Sequence, residues 1–571
     1  MKFFKKAVTA AIAGMTLAAC LGGASANTVQ AASTKQIDNY IKKASLRQKI
    51  GQMFIARTPQ KLGQAERDAY QYNLGGYIVY DADMQNYTDA QFKSKIANYQ
   101  KAAQLPLLIG IDQEGGSVSR LTHGGLAKQN GDEFKFPRDQ YEDAENAQKG
   151  SGMKAVVQYA RENATLLNKL GINWNYAPDA DYSDDPSSFI YQRGFGGVMG
   201  KNSYRAVANY IKQVVPAWQH NHLVAATLKH FPGYGDAADT HTGFAYVTKT
   251  KSQLMKSDIL PFKAGIKAGA DSVMVTHVNY DKIDPVYPAS LSKKIITMLR
   301  KDCNFKGVIV TDALEMGAIQ DFAKKHGNES VEVLAVKAGN DMLMSADYAK
   351  AIPAIEKAVK KGKISKKQID RSVKRILTMK NKLGILSASD LQVKKNNKRF
   401  FKLNSVTYKN GLATVSGTAK KDAKVSLIST DTKKGKNTNA NKKGQFKINV
   451  PLQAKAQNFI LSSDGYLSVN VHMKAAKKTT VKKTITLNKV KYNKKHTVAT
   501  ISGKVSDPGE EGSLTIVMWD AKTNKTLNSV VVGKDGKFSA TVLTSKKEQK
   551  VMVDAQNNGD YSPKSVIVKR K

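Results

Sequence analysis

The stretch Gly307-Val308-Ile309-Val310-Thr311-Asp312 is a short β-branched run that ends in an acidic residue. Such a run, bounded by glycine and a polar residue, is typical of a buried strand. Seven similar runs occur between residues 33 and 386, separated by amphipathic stretches such as 153–170 and 204–220. The eight predicted strands span residues 53–56, 76–80, 105–111, 172–177, 224–228, 272–276, 307–311 and 341–344.

The strands alternate with helical patterns over the whole of residues 33–386. About eight β/α repeats in ~350 residues are what a closed (β/α)8 barrel requires. A doubly wound open sheet is the alternative, but no glycine-rich phosphate-binding fingerprint follows the first predicted strand. The sequence therefore predicts the α/β class, with a TIM-type barrel over 33–386.

Beyond residue 387 the helical periodicity stops, and short alternating strands rich in Lys, Asn, Thr and Ser begin. The segment 403–408 recurs in similar form at 487–492, and 415–417 recurs at 501–503. Spacings of this size suit tandem β-sandwiches better than a solenoid. We therefore expect two small all-β, immunoglobulin-like modules, at residues 395–474 and 484–571.

The first 31 residues are typical of a signal peptide. Lysines at positions 2, 5 and 6 precede an apolar run, 7–19, that is too short for a stable membrane anchor. Cleavage after Ala31 is one interpretation, and a lipobox that places a lipid on Cys20 is the other. Both predict a secreted or cell-surface protein, with membrane attachment only if Cys20 is lipidated. Cys303 is the one other cysteine, so a disulfide framework is not expected.

The chain is strongly basic, with a formal net charge of +43. Residues 387–571 alone hold 37 basic and 12 acidic side chains, a net charge of +25. On an exported protein this charge indicates an anionic cell-wall polymer, such as teichoic acid, as a partner, although a solvated lysine-rich surface is the simpler interpretation. Nucleic acid is disfavoured, since arginine is scarce there and no set of stacking aromatics interleaves the lysines.

Polar side chains cluster directly after the predicted strands, where the loops of a barrel build its active site. These residues are Asp112, Glu114 and Arg120 after the third strand, Asp179 and Asp181 after the fourth, Lys229, His230, Asp236, Asp239 and His241 after the fifth, His277 after the sixth, and Asp312 and Glu315 after the seventh.

Four segments together resemble glycoside hydrolase family 3, and in particular its β-N-acetylglucosaminidases, over residues 40–386. The opening 45–53 is similar to the start of that family's domain. The other three are Ile109-Gly110-Ile111-Asp112-Gln113-Glu114-Gly115-Gly116, Lys229-His230-Phe231-Pro232-Gly233-Tyr234-Gly235-Asp236 followed by Asp239-Thr240-His241, and Val310-Thr311-Asp312-Ala313-Leu314-Glu315-Met316.

The resemblance implies a retaining exo-β-N-acetylglucosaminidase that acts on peptidoglycan fragments, the muropeptides. It assigns Asp312 as the nucleophile, His241 as the acid/base and Asp239 as the residue that orients His241. An imidazole titrates near neutrality, so it serves as acid and base with little tuning. By the same resemblance, Asp112, Arg120, Arg193, Lys229 and His230 bind the terminal sugar.

Three positions depart from the family pattern. Ser117 stands where arginine is frequent, Tyr234 where histidine is common, and Gly194 where serine is usual. These departures leave the preference for the leaving group open. The loop around 233–238 is rich in Gly and Ala, so we expect it to close over substrate. The pair Gly115-Gly116 is expected where the backbone approaches a sugar.

No metal site and no cofactor are expected, because His220 and His222 are two residues apart and lack further ligands. Two alternatives to the implied activity remain. One is a family 3 β-glucosidase or xylosidase, which the Asp239-Thr240-His241 element disfavours. The other is a non-catalytic wall-binding protein, which the basic modules suggest and the retained Asp312 disfavours.

Overall fold

The computed structural model describes residues 31–127, 134–188, 190–196, 204–240, 243, 245–326, 330–393, 398–476, 483–506, 514–556 and 561–570. Eight parallel strands form a closed barrel in which each strand pairs with its neighbours in chain order. The barrel strands are Phe54–Arg57, Gly76–Ile78, Leu108–Ile111, Trp174–Asn175, Ala225–Phe231, Ser272–Val275, Val308–Ala313 and Met342–Met344. The predicted α/β barrel is thus confirmed, and the predicted leader, 1–31, lies almost wholly outside the described residues.

Helices surround the barrel strands. Several begin at a Ser or Thr whose hydroxyl accepts the amide N–H of a glutamine three residues later, as at Ser45 and Thr88. That capping box satisfies two backbone donors at each start. The α-helices of this part are Thr34–Lys43, Leu46–Gly51, Gln64–Tyr72, Asp81–Met84, Asp89–Ala102, Arg120–His123, Pro137–Ala147, Gly152–Lys169, Tyr204–Trp218, Lys251–Lys256, Ile259–Lys267, Lys293–Thr297, Gly317–Lys325, Val331–Ala338, Tyr348–Lys360 and Lys366–Lys382.

The interior of the barrel is tightly packed and contains a small polar layer. The indole N–H of Trp174 donates to Thr227 and Ser272 at 2.8 and 2.9 Å, and all three side chains are buried. Gly110 faces Tyr176 so closely that an added Cβ would lie 2.2 Å from the phenol oxygen. This packing fixes the third and fourth strands against each other and sets the floor beneath their polar loops.

The first β-module has two four-stranded antiparallel sheets around its own apolar core. The module packs on the barrel, and both belong to one compact unit that ends at Ala475. Gln91 donates to Asp431 at 3.1 Å, and the amide of Asn470 donates to the buried Glu66 at 2.7 Å. The strands are Lys402–Leu403, Thr407–Lys409, Leu412–Thr418 and Gln445–Pro451 in one sheet, and Lys424–Ser429, Gly435–Asn439, Gln457–Ser462 and Val469–Met473 in the other.

The second β-module is a separate unit that begins at Ala476. It repeats the two-sheet arrangement around a second core that includes Ile501, Met518 and Phe538. Its strands are Ile485–Leu487, Lys491–Tyr492, Val498–Val505 and Lys537–Leu543 in one sheet, and Thr515–Asp520, Thr526–Val531, Gln549–Ala555 and Lys564–Val568 in the other. Within the described ranges, no helix combines the length and apolar character that crossing a membrane requires.

Candidate active site

A buried ion network lies at the carboxyl ends of the third and fifth barrel strands. The carboxylate of Glu114 accepts two hydrogen bonds from Arg193, at 2.8 and 3.0 Å, and lies 2.5 Å from the ammonium of Lys229. Lys229 also donates to Asp112 at 2.8 Å. Four of the residues that the sequence singled out therefore meet in one place, although Arg193 follows the fourth strand.

The charges of this network are matched. Burial raises the pKa of Glu114, but the neighbouring Arg193 and Lys229 outweigh burial and hold that pKa well below its ordinary value. Burial lowers the pKa of Lys229, and the carboxylates of Asp112 and Glu114 more than restore it. Glu114 and Lys229 are thus both charged near neutral pH, and each is held by an opposite charge.

His230 is fixed by a carboxylate in the loop that follows the fourth barrel strand. Its Nδ1 lies 2.7 Å from Oδ2 of Asp181, and Asp181 also accepts the amide N–H groups of His230 and Tyr234. Burial and the charge of Arg193 lower the pKa of His230 to about 4, so the ring is neutral at pH 7. A neutral ring that donates from Nδ1 keeps Nε2 as an acceptor, and Arg193 lies 3.4 Å from that atom.

Asp179 joins this group and completes a cluster of three potential ligands. Asp179, Asp181 and His230 bring one ligand atom each within 4.8 Å of one another. Burial and the charge of Asp181 raise the pKa of Asp179 to about 7, and burial raises that of Asp181 to about 7. The Asp181–His230 contact already uses one potential ligand atom of each of these two residues.

Arg120 lies at the open side of the site. Its guanidinium is 3.7 Å from Asp112 and 3.5 Å from Asp81, and it covers the ring of Tyr80 at 5.4 Å. The Asp112 and Arg120 side chains are 16% and 26% exposed, against 2% for Lys229. Asp112 and Arg120 are therefore the members of the network that solvent reaches most easily.

Asp312 lies near the carboxyl end of the seventh barrel strand, on the same face of the barrel as the ion network. It is half-buried, and its Oδ1 accepts the amide N–H of Ala313 at 2.7 Å. The carbonyl of Ala313 lies 3.0 Å from Nε2 of His277, whose Nδ1 contacts Ser290 at 2.8 Å. His277 is fully buried, so it holds the strand end that carries Asp312.

The loop after the fifth strand is anchored by Tyr234. The phenol oxygen of Tyr234 accepts the amide N–H of Thr240 at 2.8 Å and contacts the Thr240 hydroxyl at 2.7 Å. The carbonyl of Thr240 in turn accepts the N–H of Ala318, in the helix that follows Asp312. Burial raises the pKa of Tyr234 most, and the charges of Asp312 and Asp239 raise it further. His241 itself lies outside the described residues.

The two glycines of the third-strand loop serve packing. Gly115 and Gly116 have φ values of +111° and +52°, which side chains rarely adopt. A Cβ on Gly115 would lie 2.1 Å from the carbonyl of Lys135, and one on Gly116 would lie 2.2 Å from the ring of Phe136. The close approach that the structure shows is to the 135–136 segment, and the approach of a sugar to this backbone stays a prediction.

Sequence reasoning gave no role to three residues that organise the site. Glu114 is the centre of the ion network, Asp181 sets the tautomer of His230, and His277 supports the strand end at Asp312. All three follow predicted strands directly, and this position is the signal in the sequence that marks them as candidates. Their roles depend on contacts between loops far apart in sequence, so the spacing of residues within one loop does not show them.

Comparison with known proteins agrees with this geometry. The sequence model described as the glycosyl hydrolase family 3 N terminal domain matches residues 45–379. The chain belongs to this family.

Relatives in family 3 include β-hexosaminidases. The chain is 30% identical over 351 residues to Beta-hexosaminidase A of Pseudoalteromonas piscicida, a match that covers 56% of this chain and 55% of that protein. It is 32% identical over 273 residues to a Beta-hexosaminidase of Xanthomonas axonopodis pv. citri, covering 47% of this chain and 75% of that one.

A solved structure is also similar to this chain. A family 3 beta-N-acetylglucosaminidase from Paenibacillus sp. str. FPU-7 is 32% identical, with a TM-score of 0.52, and the match covers 60% of this chain and 63% of that one. The chain thus spans about half of the Pseudoalteromonas enzyme and less than two thirds of the Paenibacillus enzyme.

Proposed function

We propose that the chain is a retaining exo-β-N-acetylglucosaminidase, which releases terminal non-reducing N-acetylglucosamine from peptidoglycan fragments. The observation that carries the proposal is the hydrogen bond from the N–H of Ala318 to the carbonyl of Thr240, which joins the loop that holds Asp239 to the helix that follows Asp312. It supports a site in which this loop lies close to the strand end with the nucleophile. The named activities of the two relatives and of the Paenibacillus enzyme support the sugar specificity.

In the proposed mechanism the ionised Asp312 attacks the anomeric carbon, and a glycosyl-enzyme ester forms. His241 donates a proton to the departing oxygen, and Asp239 orients the imidazole and stabilises its cation. In the second step the now neutral His241 takes a proton from water, which attacks the anomeric carbon and releases Asp312. The two displacements retain the configuration of the sugar.

The sugar-binding roles are proposed for Asp112, Arg120, Arg193, Lys229 and His230. Asp112 and Arg120 suit direct contact with outer hydroxyl groups because their side chains are the more exposed. Lys229 and Arg193 hold the carboxylates in place, and His230 is held beside them, with Nε2 3.4 Å from the guanidinium of Arg193. Charged donors and acceptors fixed beforehand in this way bind hydroxyl groups without a large cost in ordering.

We also propose that the protein is exported and acts at the cell wall, where its basic C-terminal modules bind anionic polymers. The leader-like residues 1–31 and the net charge of +25 beyond residue 387 support this. Such binding is electrostatic, so we expect salt to weaken retention of the protein on isolated walls.

The test of the activity is product analysis on a defined N-acetylglucosamine–N-acetylmuramic acid peptide. We expect free N-acetylglucosamine, initially as the β-anomer, and an intact muramyl peptide. The same preparation should hydrolyse an aryl N-acetylglucosaminide faster than the matching aryl glucoside. Faster release from the glucoside, or an initial α-anomer, would contradict the proposed specificity or mechanism.

A further inference from the structure

A groove of about 1060 Å³ lies in the layer of helices and loops outside the barrel strands. Its walls come chiefly from the loop that follows the sixth barrel strand, from the segment 293–302 and from the helix Val331–Ala338. Among the described residues that line it there is none to which a role in catalysis or sugar binding is given above. The groove is therefore a surface separate from the candidate active site.

The groove has a strong excess of positive charge. Of the 18 described residues that line it, seven are lysines and two are aspartates, an excess of five positive charges. In the whole chain 90 of 571 residues are Lys or Arg, a much smaller share, so lysine is concentrated here. Lys293, Lys294 and Lys301 come from one segment, Lys337 and Lys363 come from others, and all five are exposed.

The two aspartates of the groove are already engaged with the protein. Asp302 lies 2.6 Å from the ammonium of Lys251, which is one of the seven lysines. Asp284 is buried, and its carboxylate accepts the hydroxyl of Ser292 at 2.6 Å and the amide N–H groups of Val286 and Tyr287 at 3.3 Å. Asp284 thus fixes the loop that forms the floor, and the groove keeps its positive excess.

The floor of the groove offers an apolar strip. Val286 is 50% exposed, and Ile283 and Tyr287 lie half-buried in the same loop. The ring of Tyr287 packs on Phe322 with centroids 5.7 Å apart, which holds the strip in place. Covering exposed apolar surface with the carbon chain of a ligand is favourable, so the strip suits a ligand that has both anionic groups and a hydrocarbon backbone.

The side chains of the groove favour one class of polyanion. Five positive charges call for a partner with several negative groups. The described lining residues include no arginine, whose planar fork pairs with carboxylates, whereas lysine binds phosphate as a point charge. Protein interfaces are depleted in lysine, and single-stranded nucleic acids require several stacking aromatics, of which the described lining holds only Tyr287.

We propose that this groove binds a polymer of phosphodiester-linked polyols, with the lysines on the phosphates and the carbon chain of the polymer on Val286 and Ile283. The inference goes beyond the proposed activity and beyond the proposed role of the C-terminal modules, because it places a polymer-binding surface on the barrel itself. Binding there holds the catalytic unit directly at an anionic wall, and added salt weakens it.

The experiment is a titration of the full chain with a synthetic poly(glycerol phosphate) oligomer at fixed ionic strength. The triple variant Lys282→Gln, Lys301→Gln and Lys363→Gln removes three charges of the groove from exposed positions. We expect it to raise the Kd about tenfold, because three surface charge contacts are lost together. Val286→Glu, which adds a negative charge to the floor, should weaken binding as well.

Two matched controls carry the same changes outside the groove. Lys35→Gln, Lys42→Gln and Lys43→Gln remove three exposed lysines of the helix Thr34–Lys43, and Val393→Glu adds an acid at a position that is 42% exposed. Both should change the Kd by less than about twofold, since they alter the net charge without touching the polymer. Equal losses in the groove variants and their controls would overturn the proposal.

Acylation of lysines with and without the oligomer, measured by mass spectrometry, locates the polymer on the chain. We expect protection of Lys293 and Lys294, and none of Lys35. Protection confined to lysines beyond residue 387 would overturn the groove and leave the proposed role of the modules standing. Equal protection by polyglutamate at the same charge concentration would overturn the phosphodiester chemistry. No readout here uses catalysis, so a failure of the proposed activity would be seen separately.

Discussion

At the scale of single residues, the site depends on carboxylates that are buried with their partners. Glu114 is the clearest case, because its side chain is 2% exposed and it faces both Arg193 and Lys229. Removing one partner of such a network leaves an uncompensated buried charge. The same reasoning assigns little stability to ion pairs on the surface, where water already solvates both charges.

We therefore expect Glu114→Gln to lower the free energy of unfolding by about 3 kcal/mol. Glu315→Gln is the matched control, since Glu315 pairs with Arg57 at 3.1 Å with both side chains about half exposed, and it should cost less than about 1 kcal/mol. Denaturant titration of the three proteins measures both values. Equal losses of unfolding free energy at the two positions would show that the buried network contributes no more to stability than the exposed pair of Glu315 and Arg57.

The pH dependence of this difference follows from the sign of the shift. The pKa of Glu114 is depressed in the folded protein, so its contribution is complete above the ordinary glutamate value, ~4.3. That contribution is lost as the pH falls through the lower, folded value. The stability gap between wild type and Glu114→Gln should thus shrink as the pH falls below about 4.

At the scale of elements, the loop 233–240 is the part on which catalysis is proposed to depend. Tyr234 ties it to Thr240, and Thr240 is tied to the helix that follows Asp312. Tyr234 stands where family members often have histidine. The sequence alone gives no role to this departure. In the structure the phenol of Tyr234 contacts Thr240, six residues further along the loop, and so anchors the loop.

We expect Tyr234→Phe to loosen this loop and to lower kcat/KM by about tenfold, since one lost loop anchor of about 1.4 kcal/mol corresponds to that factor. Amide exchange within 233–245 should be faster in the variant. Tyr77→Phe is the control, because the Tyr77 hydroxyl is equally buried and donates to the carbonyl of Ala65, outside the loop. Unchanged exchange and unchanged kinetics in Tyr234→Phe would remove the anchoring role.

The sequence predicts the type of an element correctly where the spacing of apolar residues determines that type. Ala225–Phe231 is buried along its whole length, which matches a predicted apolar run at 224–228 that the structure extends. The fourth strand, in contrast, is only Trp174–Asn175 where 172–177 is predicted, and Pro178, which has no N–H to donate, follows it closely. Patterns within a segment predict its type, whereas its ends depend on neighbours that the segment does not contain.

Contacts between distant polar residues were beyond the reach of the sequence. The bond from the Asn470 amide to Glu66 joins residues 404 positions apart, and both are buried polar groups that no periodicity marks. The repeat between the two β-modules predicted their existence. It did not predict that the first module packs on the barrel, because that packing depends on contacts between residues far apart in the sequence.

At the scale of the whole molecule, the chain consists of one compact unit that holds the barrel and the first β-module, and of a second unit that holds the second β-module. The unit that begins at Ala476 has its own core, which includes the buried Ile501 and Val551. A module with its own core is expected to fold without the rest of the chain. The barrel and the first module share buried contacts, so their separation is expected to cost stability.

Deletion of residues 476–571 should therefore leave kcat/KM for an aryl N-acetylglucosaminide within about twofold of wild type, by order of magnitude, because the remaining unit keeps its core. Retention on isolated cell walls should fall, and added salt should weaken retention of the full chain in the same way. A truncated chain that is inactive, or wall binding that salt does not change, would contradict this division of roles.

The assignment of Asp312 as nucleophile has the most direct test, which is to trap the glycosyl-enzyme. A fluorinated N-acetylglucosaminyl donor with a good leaving group should form the ester and slow its hydrolysis. Mass spectrometry of the digested protein should then place the added sugar on Asp312, and Asp312→Ala should gain no label while keeping its melting temperature. A label on Asp112 or Asp239, or a labelled Asp312→Ala, would contradict the proposed site.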